Sequence, residues 1–358
     1  PIYAVLLGAS PLVVGIVGAA GGLIYSFMPL AFGILSDRLR RKAFISMSMV
    51  SYGFSCIFYN LAEDPFMLAF IKVLEWISIA AFWPAIEALL ADASEGRLEE
   101  ALGKFNVSWG LAMVIGPMVG GFLISAYDIK APFLLSLAIS FLLGITSLIF
   151  VREPFGERET GTKENLKEEG SLNSQYSLFT SLSSILLFSS IGGVIQSLFP
   201  AHATDLNIPA YEIGLIMFIF GASRTVTFRQ AYKIEAKLGK TGMFLVGSLT
   251  LAIASALTAN SYAAVTFMIY FLIFGFGTGI SYAASISFVL RRWGSSRGYA
   301  AGLFESLIGL GYFLGPLIGG IVSEYAPNIP YIFCCVLSLA VFFAQLTLNR
   351  RLKPSSLS

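Results

Sequence analysis

Long apolar runs separated by short polar segments dominate the chain. A helix needs about 20 mostly apolar residues to cross the hydrocarbon core of a bilayer. By that measure eleven runs are long enough to span, and residues 1–7 form a stub that is too short. The predicted spans cover residues 11–35, 43–61, 66–91, 101–126, 132–151, 178–199, 211–228, 242–260, 262–290, 301–325 and 330–348. The pattern predicts an all-α polytopic membrane protein.

One long polar segment, residues 152–177, interrupts these runs. It mixes four basic residues with six glutamates, as a solvated connection does. We therefore predict an N-terminal half (residues 1–151), a linker (152–177), a C-terminal half (178–349) and a short tail (350–358).

The basic residues predict the orientation of the spans. All but three of the 23 Lys and Arg residues fall on one set of alternating connections, in the linker or in the tail. The opposite connections hold only Lys130. Because cytoplasmic loops carry the excess of Lys and Arg, we expect the linker and the C-terminus in the cytoplasm, with the protein in the plasma (inner) membrane.

Composition agrees with this assignment and excludes several functions. The 358 residues are 56% hydrophobic and 12% charged, whereas soluble domains carry roughly a quarter charged residues. The net charge of +2 lies in short clusters, so we expect no nucleic-acid partner. The three cysteines lie inside apolar runs and there is one histidine, so no disulfide framework or metal site is expected. No basic segment with a cleavage site follows Pro1, and we expect no signal peptide.

The two halves repeat each other at a constant offset. Gly116-Pro117 aligns with Gly315-Pro316, 199 residues further on, and Gly15 aligns with Gly214 at the same offset. The offset also aligns the span at 178–199 with a segment before Pro1. We therefore expect the sequence to begin at the end of helix 1. Restoring that helix gives two six-helix halves related by a pseudo-two-fold axis along the membrane normal.

A charged loop follows the first complete span and reads Gly33-Ile-Leu-Ser-Asp37-Arg38-Leu-Arg40-Arg41-Lys42. Gly33 allows a close helix crossing, and the cations can pair locally or hold the inner leaflet. The run resembles the loop signature G-x-x-x-D-R-x-G-R-R of the major facilitator superfamily of secondary transporters. That resemblance implies Gly33, Asp37, Arg38 and Arg41 as a gate that latches the halves on the cytoplasmic side. Plain positive-inside topology is the alternative.

A second signature combines small residues with Gly-Pro. It reads Gly302-x8-Gly311-x3-Gly315-Pro316-x2-Gly319-Gly320, and the first half echoes it around Gly116 and Pro117. Small residues allow close helix packing and proline bends a helix, so both Gly-Pro pairs are predicted hinges. In the first half the pattern resembles the helix-5 motif of proton-coupled drug exporters, which implies antiport. A packing hinge without bearing on transport direction is the alternative.

Ionisable residues inside spans are costly and are functional candidates. Lys72 and Glu75 lie three residues apart on one helix and can pair. Glu75 is a candidate for proton coupling, and a neutralised structural pair is the alternative. Glu87 lies on a similar face, near the cytoplasmic end, and can couple protons or reach the interface. Glu305 has no cation three or four residues away. Because desolvation favours the neutral form of a lone carboxylate, it can carry protons; a bond to the loop arginines, or plain packing, is the alternative.

Other polar residues in the spans are candidates for the substrate cavity. Arg224 can hold an anionic substrate, pair with a carboxylate, or extend to the cytoplasmic interface. His202 is expected to be a solvated loop histidine rather than a pH sensor. The cavity candidates are Lys72, Trp83, Arg224, Gln196 and Tyr25.

These features favour a secondary active transporter that works by alternating access. We expect proton-coupled efflux of a small amphipathic compound or metabolite by a monomer, with protons, substrate and the bilayer as its partners. Proton-coupled uptake of a sugar, peptide or organic anion is the second reading, and a receptor or lipid translocase on the same scaffold is the third. The sequence lacks a phosphate-binding loop and a G-x-S-x-G nucleophile motif, so neither an enzyme nor a cofactor is expected.

Overall fold

The computed structural model describes residues 1–94, 98–152, 171–292 and 297–352. Within these ranges every regular element is an α-helix, as the apolar pattern predicts. The helices are α1 (Ile2–Leu6), α2 (Pro11–Tyr25), α3 (Met28–Arg38), α4 (Arg41–Asn60), α5 (Pro65–Ala93), α6 (Leu98–Ala126), α7 (Ala131–Phe150), α8 (Ser171–Ser197), α9 (Phe199–Asp205), α10 (Ala210–Thr258), α11 (Ala264–Arg292), α12 (Arg297–Ser323) and α13 (Ile329–Leu352).

The predicted linker, residues 152–177, ends earlier than expected, because α8 already begins at Ser171. Residues 153–170 lie outside the described residues, as do 353–358 of the predicted tail. Residues 171–177, assigned to the linker because they are polar, form the first two turns of α8. A spanning helix can continue into water through polar residues. The apolar run therefore indicates which part of the helix lies in the membrane, and not where the helix begins or ends.

Nine helical segments in the described part of the chain are long and apolar enough to cross a membrane, against eleven predicted spans. Two of the predicted spans lie within the 49 residues of α10. The other difference is α4, which carries four serines and begins with Arg41 and Lys42. Its serine hydroxyls bond within the bundle, for example Ser46 to Ser147 of α7 at 2.7 Å.

The long helix α10 is divided by a break at Gly239. A straight helix of 49 residues would be about 74 Å long, more than twice the thickness of the hydrocarbon core. Gly239 has φ 66° and ψ 169°, a conformation that glycine adopts without steric cost. The break therefore separates two consecutive spans that are joined without a loop.

Two helix pairs form the interface between the repeated halves, α2 with α12 and α6 with α10. A Cβ built on Gly15 would lie 2.6 Å from the carbonyl oxygen of Pro316, and one on Gly214 would lie 2.8 Å from that of Pro117. The offset of the sequence repeat maps one contact onto the other. In both pairs the helix backbones touch, because no side chain separates them.

These contacts continue toward the end of the bundle that holds the loop between α3 and α4, called here the basic end. There a Cβ on Gly309 would lie 2.3 Å from the carbonyl carbon of Tyr25, and one on Gly302 would lie 2.6 Å from the carbonyl oxygen of Pro29. In the other pair, a Cβ on Gly110 would lie 2.5 Å from the Thr225 hydroxyl. Both interfaces are therefore closed along their length.

The two predicted Gly-Pro hinges differ in their packing. A Cβ on Gly315 would lie 2.1 Å from the carbonyl oxygen of Ser190 in α8. On Gly116 it would meet nothing within 4 Å among the described residues. The expectation of close packing at both pairs is thus wrong for Gly116 in the described chain. The physical reason is that α8 covers this face of α12, whereas no described helix takes the equivalent place beside α6.

Candidate functional site

Buried polar side chains from both halves meet near the middle of the bundle, at a place called here the central site. They come from α2 and α5 on one side and from α10, α11 and α12 on the other. Its polar members are Tyr25, Glu87, Arg224, Tyr282, Glu305 and Tyr312, of which all but Tyr312 are less than 9% exposed. Buried polar groups at the interface between repeats are where transporters of this architecture bind substrate and coupling ions.

Glu305 bonds to the opposite half through Tyr25. The Tyr25 hydroxyl donates to Oε2 of Glu305 over 2.8 Å. Tyr25 is the last residue of α2, and the absence of a side chain at Gly309 lets its backbone lie against α12, one turn from Glu305. The expectation that Glu305 is unpaired is therefore wrong, because its partners come from other helices and leave no trace in its own sequence neighbourhood.

Glu87 faces the same carboxyl group. It is 0% exposed and its side chain lies next to that of Glu305. Among the described residues no hydrogen-bond donor reaches either of its oxygens. Two carboxyl groups can share a hydrogen bond when one of them carries a proton. Glu87 and Glu305 thus form a buried acid pair, and Glu87 does not reach the membrane interface.

The guanidinium of Arg224 lies among aromatic rings. Its Cζ is 4.9 Å from the ring centroid of Trp109, 5.4 Å from that of Tyr282 and 5.5 Å from that of Phe228. These distances are typical of cation–π contacts. Arg224 is 6% exposed, so it does not extend to the cytoplasmic interface.

The polar contacts of Arg224 are sparse for a buried cation. Nη1 lies 3.8 Å from Sδ of Met113, and the Tyr312 hydroxyl lies close to the side chain. Among the described residues Nε has no hydrogen-bond partner. Glu305 is near enough to interact with the guanidinium electrostatically. No carboxylate forms an ion pair with Arg224 in the described part of the chain. Its positive charge is instead offset at longer range by the carboxyl groups of the central site.

Two further predicted cavity residues, Gln196 and Trp83, lie around this cluster, and Tyr25 makes a further contact at its edge. Nε2 of Gln196 donates to the Tyr312 hydroxyl over 2.9 Å. The Trp83 ring packs on Trp109 with centroids 5.9 Å apart. Tyr25 packs against Trp76 with centroids 5.0 Å apart.

Sequence reasoning missed the aromatic residues Trp76, Trp109, Phe228, Tyr282 and Tyr312. Single aromatic residues in an apolar run carry no signal of their own. For Tyr282 a signal was present, because it aligns with Trp83 at the repeat offset.

The pair Lys72–Glu75 lies apart from the central site. Nζ of Lys72 is 3.0 Å from both carboxylate oxygens of Glu75, as the spacing predicts. The Tyr59 hydroxyl of α4 also donates to Glu75. These two candidates lie 12 residues or more from Glu87 along α5, about 18 Å, and they neutralise each other.

The loop signature forms an ion-pair cluster around the buried Arg41 at the basic end. Arg41 is 4% exposed and pairs with Asp37 at 3.2 Å and with Asp92. Asp92, at the end of α5, was missed because nothing in the sequence links it to the loop. Arg38 is exposed, and Gly33 is buried within α3.

The described partners of Arg41 all lie in the first half, where they tie α3, α4 and α5 together. A contact between the halves lies nearby, because the amide of Leu30 donates to the Ser306 hydroxyl over 3.2 Å. The cluster thus sets the position of α3, which in turn packs on α12.

His202 is buried and not solvated as expected. It is 8% exposed, and Nδ1 lies 3.2 Å from the Tyr331 hydroxyl. It lies in α9, which belongs with α8 to one candidate span, Leu178–Asp205, so the polar residues after His202 do not place it in a loop. In the described residues no group of His, Cys, Asp and Glu side chains could hold a metal ion.

Comparison with known proteins agrees with this architecture. The sequence profile of the Major Facilitator Superfamily matches residues 1–293 and, again, residues 181–357. The chain belongs to this superfamily, and it is a multi-pass membrane transporter of small molecules. The overlapping match to the second half reflects the tandem repeat.

Curated relatives and a solved structure lie at low identity. An uncharacterised MFS-type transporter of Methanocaldococcus jannaschii is 26% identical over 90% of this chain and 85% of its own length. Multidrug resistance protein 1 of Bacillus subtilis is 26% identical over 86% of this chain and 79% of its own. The crystal structure of the nucleoside transporter NupG superposes with a TM-score of 0.70 at 16% identity, covering 97% of this chain and 92% of NupG. That structural likeness carries the fold.

Proposed function

We propose that the protein exports a small amphipathic compound in exchange for protons, by alternating access. The observation that carries the proposal is the buried acid pair of Glu87 and Glu305 at the interface between the halves. The resistance protein of Bacillus subtilis among its relatives supports efflux as the direction.

The acid pair can bind either the proton or the substrate during an exchange. A deprotonated pair attracts a cationic or polarised substrate, and protonation removes that attraction and releases the substrate. Because a buried charge without a partner is costly, the site closes easily only when protons or substrate are bound. Proton and substrate thus compete for Glu87 and Glu305, which couples the two movements in opposite directions.

The glycine contacts between the halves supply the moving surfaces. At one end of the bundle they join Gly15 to Gly320 and Gly214 to Gly121, and at the basic end they join Gly309 to Tyr25. Opening one end while the other stays closed is the rocking motion expected of two repeats around a fixed site. Arg41, held by Asp37 and Asp92, fixes α3 against α12 and serves as the gate at the basic end.

The remaining assignments complete this proposal. The basic end faces the cytoplasm of a plasma membrane, with the linker and the C-terminus on that side. The halves are residues 1–151 and 178–349 as assigned from the sequence, with α8 of the second half beginning seven residues earlier, and they work as a monomer. In this proposal the polar residues between the halves bind the substrate and protons, and the protein is not an enzyme.

One observation favours a second function, uptake of an organic anion with protons. The Nε atom of Arg224 is buried without an acceptor, and a carboxylate would satisfy it. In that case protonation of the acid pair would free the guanidinium and favour anion binding, which couples the movements in the same direction.

A flux measurement distinguishes the two functions. Everted vesicles carrying the full-length protein are acidified inside and given ethidium, glucose or benzoate while the internal pH is followed. Proton release on ethidium addition, absent from vesicles with the Glu305→Gln variant, supports export by antiport. Movement of protons together with benzoate would favour anion uptake over export. A constant internal pH with all three compounds would contradict both functions.

A further inference from the structure

The charges of the central site can be counted residue by residue. Among the described residues its charged and titratable members are Glu87 of α5, Arg224 of α10, Glu305 of α12 and the phenols Tyr25, Tyr282 and Tyr312. The phenols are neutral near neutral pH, because even a tyrosine in water ionises only near pH 10. The net charge of these described groups therefore varies between +1, with both carboxyls protonated, and −1, with neither.

A closed site has to be nearly neutral. Glu87, Glu305 and Arg224 are 0%, 5% and 6% exposed, and an uncompensated charge is strongly unfavourable in such a buried place. With one shared proton, the acid pair and Arg224 sum to zero without any ligand. With no proton they sum to −1, which one added positive charge balances. A doubly charged cation would leave the closed site at +1.

We propose that Arg224 acts as a built-in cation that limits the substrate to one positive charge and the exchange to one proton for one substrate. This inference rests on the proposed export function and names its substrate class, a planar aromatic monocation. Trp76, Trp109, Phe228 and Tyr282 supply ring faces for such a molecule, since they already surround the guanidinium or the Tyr25–Glu305 bond.

Removing the charge of Arg224 changes the net charge of the central site. Without it, the unprotonated acid pair carries −2 and the fully protonated pair is neutral. The site then closes around one dication in exchange for two protons. It also closes around a monocation with one proton retained, so transport of monocations persists. Arg224 is thus a specificity-determining residue, and its loss widens the range of substrates.

Two probes of nearly equal size test the charge limit. N-methyl-4-phenylpyridinium carries one positive charge and methyl viologen, a bipyridinium of similar shape, carries two. Each is offered in radiolabelled form to proteoliposomes that are acidic inside and contain the full-length protein. We expect the wild type to take up the monocation at least tenfold faster than methyl viologen. Arg224→Gln should bring the two rates within a few fold of each other, with two protons released per methyl viologen.

Two controls separate charge from structure. Arg224→Lys keeps the positive charge and loses the planar guanidinium, so it should exclude methyl viologen as the wild type does. In the wild type alone, a membrane potential set with potassium and valinomycin should leave monocation exchange unchanged, because one charge moves in each direction. This second measurement stands even if Arg224→Gln fails to fold.

The outcomes distinguish this inference from the function on which it rests. Equal wild-type uptake of both probes, exchange driven by the potential, or continued exclusion of methyl viologen by an active Arg224→Gln would overturn the charge limit and leave export standing. Proton-linked uptake of benzoate without movement of either cation would overturn export itself, and Arg224 would then be the binding group for an anion.

Discussion

Tyr25 and Glu305 lie 280 residues apart and are joined by a hydrogen bond of 2.8 Å across the interface of the two halves. The bond connects the end of α2 to the carboxyl group of Glu305 on α12. Glu87 of α5 lies on the other side of that carboxyl group. Protonation of Glu305 would therefore change contacts to helices of both halves.

The first prediction concerns Glu305 itself. Glu305→Gln keeps the shape of the side chain but can no longer gain or lose a proton. Transport driven by a pH gradient should fall by about a hundredfold, the range found for loss of a proton-transfer group. Exchange of labelled for unlabelled monocation should fall as well, because Glu87 and Arg224 then sum to zero and the closed site with a monocation would be positively charged. Both are measured in proteoliposomes. The matched control is Glu63→Gln, at an exposed carboxylate between α4 and α5, which should leave both activities intact; unchanged pH-driven transport in Glu305→Gln contradicts the role.

A second prediction concerns the ion pairs at the basic end. Asp37→Asn or Asp92→Asn leaves Arg41 with one carboxylate, so α3 is held less firmly and the basic end opens more often. A cysteine at Ser306, which is buried against α3, should then react faster with a maleimide, by about tenfold. The cysteine is introduced into a variant that lacks the three native cysteines.

The repeat supplies the control for this experiment. Glu235 and Lys240 form the equivalent pair in the second half, 4.0 Å apart with both side chains about one-third exposed. In the first half the cation, Arg41, is buried and binds two carboxylates. An exposed pair contributes little, and Glu235→Gln should leave the reactivity at position 306 unchanged. Equal effects of Glu235→Gln and Asp37→Asn would show that general charge, not the ion pairs of the buried Arg41, holds the gate.

The third prediction uses the glycine contacts between the halves. Gly15→Ala and Gly214→Ala place a methyl within 2.8 Å of a backbone oxygen, where overpacking costs roughly 1–3 kcal/mol. Both variants should slow substrate exchange by about tenfold, because closure of the end opposite the basic end becomes unfavourable. The control is Gly277→Ala, which contacts Leu251 and Thr250 within one half. A normal exchange rate in Gly15→Ala would mean that this contact does not close during transport.

The fourth prediction separates structure from transport at Lys72 and Glu75. Lys72→Met leaves the largely buried Glu75 without its cation. The free energy of unfolding should fall by roughly 2–3 kcal/mol, less than for most broken buried pairs because Lys72 is partly exposed. The double variant Lys72→Met/Glu75→Gln should recover more than half of the lost melting temperature in detergent. It should also transport at the wild-type rate. Loss of transport in a stable double variant would place this pair in the transport mechanism.

The fold was largely readable from the sequence, for a physical reason. Lipid forces each apolar run into a helix, because no other structure satisfies the backbone within a single segment, and the offset between Gly116 and Gly315 shows that the chain repeats. The sequence did not show the kink at Gly239 or that α8 begins at Ser171, since helices continue into water without an apolar signal.

The central site was only half predictable. Glu87, Glu305, Arg224, Gln196 and Tyr25 are singled out by their cost in a membrane, and the structure brings them together. Their pairing was not predictable, because Glu305 meets Tyr25 and Glu87 across helix faces whose rotation depends on the packing of the whole bundle. The same holds for Asp92, which is unremarkable in sequence and becomes a partner of Arg41 through the crossing of α4 and α5.

The backbone contacts at Gly15 and Gly214 also constrain how this gene can vary. Every amino-acid replacement at these codons adds at least one carbon where less than 3 Å separates it from a backbone atom. We therefore expect both codons to stay glycine wherever the halves close in this way, whatever the compound carried. The contacts around Arg224 are made by side chains, so substrate preference can change there without any change in these backbone contacts.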